Sequence, residues 1–167
     1  SARRAIVAEI VADVRASSAP VLLEALADRT VRMLGHDKTI ATGWAGLEIT
    51  AGAAVQIVGY GALDRDASQY VDELHEAETT ITSGDCAEDG LGCNLPARPA
   101  GELGAGGMGI DTCPGDSGGP LYLKTSYGDF VAGITSRAYE DAVYPCQDGG
   151  IYTRPDAVID WIEQTAG

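Results

Sequence analysis

Glycine is the feature that most constrains this chain. It fills 22 of 167 positions and, together with Asp and Pro, cuts the apolar residues into short runs. A helical bundle needs apolar residues recurring every three or four positions over several turns, whereas brief apolar runs bounded by turn residues suit strands. Ala53-Ala54-Val55-Gln56-Ile57-Val58 is such a run, halted by Gly59-Tyr60-Gly61, and Phe130 to Thr135 is another, opened by Gly128-Asp129. Leu121-Tyr122-Leu123 reads the same way. The expected fold is therefore all-β. At the end of the chain Pro155-Asp156 opens a helical pattern with Val158, Trp161 and Ile162 on one face and Thr153 as N-cap, which predicts a short C-terminal α-helix. Asn94 to Thr112, with Gly101, Gly104, Gly106, Gly107 and Gly109 and little periodicity, reads as one long loop. Ile6, Val7, Ile10, Val11 and Val14 fit a helix face or a strand equally well.

The formal net charge of −14 is spread along the chain without an acidic block, which excludes nucleic acid as a partner. No apolar stretch approaches the roughly 18 residues of a membrane helix, and residues 1 to 18 lack the apolar centre of a signal peptide. No membrane partner and an already processed chain are expected. The four cysteines, Cys86, Cys93, Cys113 and Cys146, form no CxxC pair and no zinc-spaced Cys/His cluster. Two disulfides in a secreted or periplasmic protein, with no metal and no cofactor, are the simplest reading, against four buried thiols in a cytosolic one.

Chemistry concentrates in Asp111-Thr112-Cys113-Pro114-Gly115-Asp116-Ser117-Gly118-Gly119-Pro120. A small nucleophile stands among glycines, whose missing Cβ atoms let backbone N–H groups approach a substrate oxygen. Gly115-Asp116-Ser117-Gly118-Gly119 also satisfies the G-x-S-x-G elbow of α/β-hydrolases. That elbow needs a strand before the serine and a helix after it, but Cys113-Pro114 precedes Ser117 and Pro120 leads into an apolar run. It also needs a histidine downstream, and both histidines, His36 and His75, lie upstream.

The decapeptide resembles the nucleophile motif of the chymotrypsin/trypsin serine protease family at almost every position. Val58-Gly59-Tyr60-Gly61 is similar to the turn that opens that family's second barrel, Ala132-Gly133-Ile134-Thr135-Ser136 to the strand that pairs with a substrate backbone, and Gly149-Gly150-Ile151-Tyr152-Thr153-Arg154 to the wall of the specificity pocket. The resemblance implies a double β-barrel lacking the start of its N-terminal barrel. Residues 1–49 would be the barrel remnant and linker, and 50–167 the C-terminal barrel. It implies Ser117 as nucleophile, the Gly115 and Ser117 N–H groups as oxyanion hole, and Asp111 as the floor of an Arg/Lys pocket lined by Ser136 and Gly150. Asp116 would pair with an amino terminus made on activation. Cys113 would pair with Cys146, and Cys86 with Cys93 across a small loop. A polypeptide substrate with Arg or Lys at the cut follows.

A serine hydroxyl needs an adjacent base, which the family supplies in a Thr-Ala-Ala-His-Cys-like segment. No such segment is present. His36 and His75 read as surface-loop histidines with no catalytic role. Ala5 to Asp13 and Val21-Leu22-Leu23-Glu24 resemble first-barrel strands, a register that puts Ala19 or Pro20 where the catalytic aspartate belongs, with Asp13 and Asp28 as alternatives. A companion N-terminal segment bearing the histidine is expected. The competing reading is a catalytically inactive binding protein that keeps the fold. After Ser136, Arg137 and Ala138 replace the family's aromatic residue and glycine.

Overall fold

The computed structural model describes residues 39–87 and 90–166. Its frame is a closed barrel of six strands: β1 (Ala54–Gly59), β2 (His75–Ser83), β3 (Glu102–Ala105), β4 (Pro120–Thr125), β5 (Gly128–Ala138) and β6 (Gly150–Thr153). The order around the barrel is β1-β2-β3-β6-β5-β4, and β4 closes on β1 through Val55, Gln56 and Ile57. Every strand pair is antiparallel. The three apolar runs read as strands coincide with β1, β4 and β5, with Ala53 just ahead of β1. Closure pairs every strand with a neighbour on each side, β2 meeting β3 only at Ile81 and Ser83.

Alternation decides which side chains fill the interior. Val55, Ile57, Ile81, Leu103, Ala105, Leu121, Leu123, Ala132 and Tyr152 make the core. Ala41, Ala45 and Ile49 join it from a short helix, α1 (Gly43–Leu47), and its flanks, anchored where Ala41 N–H donates to Val131 O at 2.9 Å. Residues 39–49 thus pack on the barrel itself. The rest of the 1–49 unit, including the first-barrel strands, His36, Asp13, Asp28, Ala19 and Pro20, lies outside the described residues.

Three expectations are corrected. The stretch from Asn94 to Thr112 is not one loop: it holds a 3-10 turn, Leu95–Ala97, and then β3, which pairs with both β2 and β6. Leu103 and Ala105 enter the core, while Gly104 lies under Leu91, Tyr139 and Thr82, where a Cβ would meet atoms at 2.8 to 2.9 Å. His75 is not in a loop but begins β2, opposite Gly59. Thr153 does not cap the terminal helix, because it belongs to β6. A 3-10 turn, Pro155–Val158, with Arg154 at its N-cap position precedes α2 (Ile159–Ala166), and Arg154 Nε donates to Asp156 Oδ1 at 3.0 Å.

A second cluster lies outside the barrel. Cys86, Cys93, Leu91, Tyr139, Ala142 and Ile151 pack together, and Cys86 is bonded to Cys93. Among the described residues no helix is long and apolar enough to cross a membrane.

Candidate active site

The segment from Asp111 to Gly119 joins β3 to β4 and is fastened at several points. Gly118 N–H donates to Thr135 O and Thr135 N–H to Gly119 O, both at 2.9 Å, so the serine loop rides on β5. Asp116 N–H donates to Cys113 O at 2.9 Å, and Ala62 N–H to Pro114 O at 3.1 Å. Cys113 is bonded to Cys146, which ties the loop to the segment leading into β6. Gly115 has φ +105°, which disfavours a side chain, and an added Cβ would sit tightly at 3.0 Å from the Gly61 Cα. Among the described residues neither the Gly115 nor the Ser117 N–H is engaged by a backbone or side-chain acceptor. Both donors are thus unengaged beside a half-buried serine.

Asp116 turns its carboxylate under the 59–61 turn. Oδ1 accepts from Gly61 N–H at 2.7 Å and Oδ2 from Cys113 N–H at 2.9 Å. The two glycines of that turn make the seat: a Cβ on Gly59 would lie 1.9 Å from Asp116 Oδ1, and one on Gly61 2.5 Å from the carboxyl carbon. Burial pushes the Asp116 carboxyl above its usual range, with the two N–H donors and the field of His75 opposing the rise. Gly59→Ala is expected to evict this carboxylate and cost about 1–3 kcal/mol or more, the scale of overpacking a filled site. Chemical denaturation measures it, and an unchanged midpoint would contradict the seat.

Asp111 is held on the other side of the loop. Its Oδ1 accepts from Thr112 N–H at 2.7 Å and its Oδ2 from Gly149 N–H at 2.8 Å. A Cβ on Gly150 would stand 3.3 Å from Oδ1, so Gly150 abuts the carboxylate directly. Loss of hydration raises the Asp111 carboxyl to about 6, against the opposing Thr112 and Gly149 donors. Ser136 is exposed at a bulge where the β5–β6 register shifts between Thr135 and Arg137, and its Oγ accepts from Arg137 Nη1 at 3.3 Å.

The two carboxylates share the wall of a cleft of about 220 Å³. Ile57, Ala62, Leu63, Ala77 and Ile110 give it apolar sides, and His75 and Glu76 lie along it. His75 forms no hydrogen bond to Ser117 among the described residues. No metal-binding cluster occurs among them either.

Sequence reading missed one buried network. Glu102, only 4% exposed, accepts from Arg137 Nη1 at 2.8 Å and Nη2 at 3.0 Å, and from Asn94 N–H at 2.8 Å and Nδ2 at 3.0 Å. Arg137 Nη2 also donates to Gly92 O at 2.9 Å. The arginine that replaces an aromatic residue after Ser136 therefore binds β5 to β3 and to the Cys86–Cys93 loop. The only sequence signal was that replacement itself.

Comparison with known proteins gives a consistent result. The family model described as Trypsin matches residues 29–162. "Serine protease 56" of Homo sapiens is 34% identical over 122 residues, covering 70% of this chain and 19% of that protein. "Spaetzle-processing enzyme" of Drosophila melanogaster is 47% identical over 68 residues, covering 36% of this chain and 16% of its own length. Among solved structures, neuropsin, a serine protease expressed in the limbic system of mouse brain, superposes with a TM-score of 0.55 at 30% identity, over 71% of this chain and 50% of that one. The chain thus spans a minor part of these curated relatives and half of the neuropsin chain.

Proposed function

This chain belongs to the trypsin family of serine proteases, and from that membership we propose that it is the nucleophile-bearing part of an endopeptidase that cuts after Arg or Lys. The observation that carries the specificity is Asp111. Its carboxylate stands six residues before Ser117, partly buried, held by two N–H donors and abutted by Gly150. Such a group gains most from a guanidinium or ammonium, because a desolvated charge is costly until it is paired.

In this reading Ser117 Oγ attacks the carbonyl carbon of the residue seated over Asp111 and passes its proton to an imidazole. The Gly115 and Ser117 N–H groups hold the oxyanion. The amine departs with that proton, and water then releases the acyl group by the reverse transfers. The imidazole comes from a companion segment, because His75 belongs to the Asp116 cleft. That cleft, with apolar sides and the Asp116 carboxylate among the acids on its wall, suits a small aliphatic residue with a free amino terminus. Residues 1–49 belong to the first barrel and linker, 50–167 to the second, and Ser136 and Gly150 line the specificity pocket. The two disulfides favour an oxidising, extracytoplasmic compartment.

Benzamidine binding to the full chain tests the pocket, with benzamide as the uncharged isostere. Benzamidine is expected to be strongly preferred, and Asp111→Asn to weaken it by about a hundredfold or more, on the scale of losing one partner of a buried ion pair. The pH dependence has a definite sign. Asp111 titrates near 6 when empty, so below that value it is neutral, and affinity should fall by nearly tenfold per pH unit. Equal binding of the two ligands would overturn the Arg/Lys assignment.

A further inference from the structure

The cleft around Asp116 contains a second feature that its role as an amino-terminus seat does not use. Gly59 and His75 are direct cross-strand partners in β1 and β2, so their side-chain directions share one face of the sheet. Gly59 has no side chain, and the space its Cβ would take is filled by the Asp116 carboxylate, 1.9 Å from that point. Directly opposed Cβ atoms stand about 4.5–5.5 Å apart, which an imidazole spans. The missing side chain of Gly59 therefore leaves the Asp116 carboxylate on the sheet face that carries His75, and both residues line the cleft.

The charges there are one-sided. Asp116 and Asp111 face the cleft from the serine loop, Glu76 from β2 beside His75, while β1 with Gly59 and Val58, and the segment at Gln147, contribute no charged group. Among the described lining residues His75 alone can become positive.

We infer that His75 is an acid-operated rival for Asp116: once protonated it occupies the counter-ion position that the amino terminus must take, and once neutral it gives that position up. This rests on the reading of the Asp116 cleft as an amino-terminus seat. Histidine is the side chain whose charge changes between about pH 5 and 8, so the device holds the protease unassembled in acid and releases it near neutrality. The sign follows from charge: protonation adds a cation beside the carboxylate, which attracts Asp116 and repels an incoming ammonium.

The test uses the full chain and the dipeptide Ile-Val, with its Nα-acetylated form as control, titrated by calorimetry at pH 7.5 and 5.5. Wild type is expected to bind the free dipeptide at pH 7.5 and to weaken about tenfold or more at pH 5.5, the factor reached when about a tenth of the sites remain competent to bind. His75→Gln is expected to lose less than about half of that factor, measured on the logarithmic scale, the remainder arising from Asp116 itself. In parallel, the His75 imidazole followed by NMR should titrate at lower pH in Asp116→Asn than in wild type. An undiminished pH dependence in His75→Gln, or an unmoved His75 titration in Asp116→Asn, overturns the rivalry while leaving the cleft assignment standing. Failure of wild type to bind the dipeptide at pH 7.5 overturns the amino-terminus reading and the rivalry with it.

Discussion

A fluorophosphonate probe is expected to label Ser117 of the 167-residue chain slowly or not at all, and a co-expressed segment carrying the family's histidine is expected to restore fast labelling. A serine hydroxyl near its ordinary proton affinity is a poor nucleophile until a base takes its proton, and a positioned base contributes on the order of 10² to 10⁴ in rate. In a serine protease stripped of its triad, an oxyanion hole and substrate binding together leave a residual of about 10³ to 10⁴ over water. Here even that residual depends on the Gly115 N–H pointing correctly, and Gly115 packs against Gly61, a member of the turn that seats Asp116. Intact-mass counting of labelled protein against time reads the effect, with Ser117→Ala as the blank. Fast, stoichiometric labelling of the chain by itself would mean an internal base and would reopen His36 and Asp28. Slow labelling that the added segment fails to relieve would favour the inactive binding-protein reading.

The second large effect concerns stability rather than chemistry. Arg137→Met is expected to destabilise the protein by about 3–5 kcal/mol at pH 7, a large fraction of the roughly 5–15 kcal/mol that holds a domain folded. The reason is what the substitution leaves behind. Glu102 is almost fully buried, and Arg137 meets both of its oxygens. The Arg137 and Asn94 contacts hold the Glu102 carboxyl below its usual range despite the desolvation that opposes them. A carboxyl with a lowered folded-state value stabilises the fold above its unfolded value near 4.5 and loses that contribution as pH falls. Denaturant unfolding of the two proteins should therefore differ most at neutral pH, and the difference should shrink below about 4.5, where protonation removes the unpaired charge. The same gap at both pH values would mean that Arg137 acts through packing alone. Glu102→Gln should be milder than Arg137→Met, because an amide keeps one acceptor for the guanidinium, whose side chain is already one-third exposed.

Several of these features were legible in the sequence because they are local. The strands β1, β4 and β5 were visible as apolar runs between turn residues, since alternation and glycine punctuation act within a few positions. The ten residues around Ser117 were legible for the same reason: a tight loop that presents backbone N–H groups must be written in adjacent glycines. β3 was not legible. Glu102-Leu103-Gly104-Ala105 has weak strand character and becomes a strand only because β2 and β6 pair with it on both sides. The bond between Arg137 and Glu102 joins residues 35 apart, and neither announces the other.

By itself, then, the amino-acid order determined the fold class, the serine loop and the turn at Gly59-Tyr60-Gly61, each a consequence of backbone freedom and side-chain periodicity over short spans. Only the tertiary structure decided that Gly59 and Gly61 make the seat of Asp116, that His75 begins a strand beside it, and that Arg137 serves a buried carboxylate. Those are meetings between distant segments, set by strand register around the closed barrel. The physical reason is that desolvation and charge pairing act through space, whereas propensity and turn chemistry act along the chain.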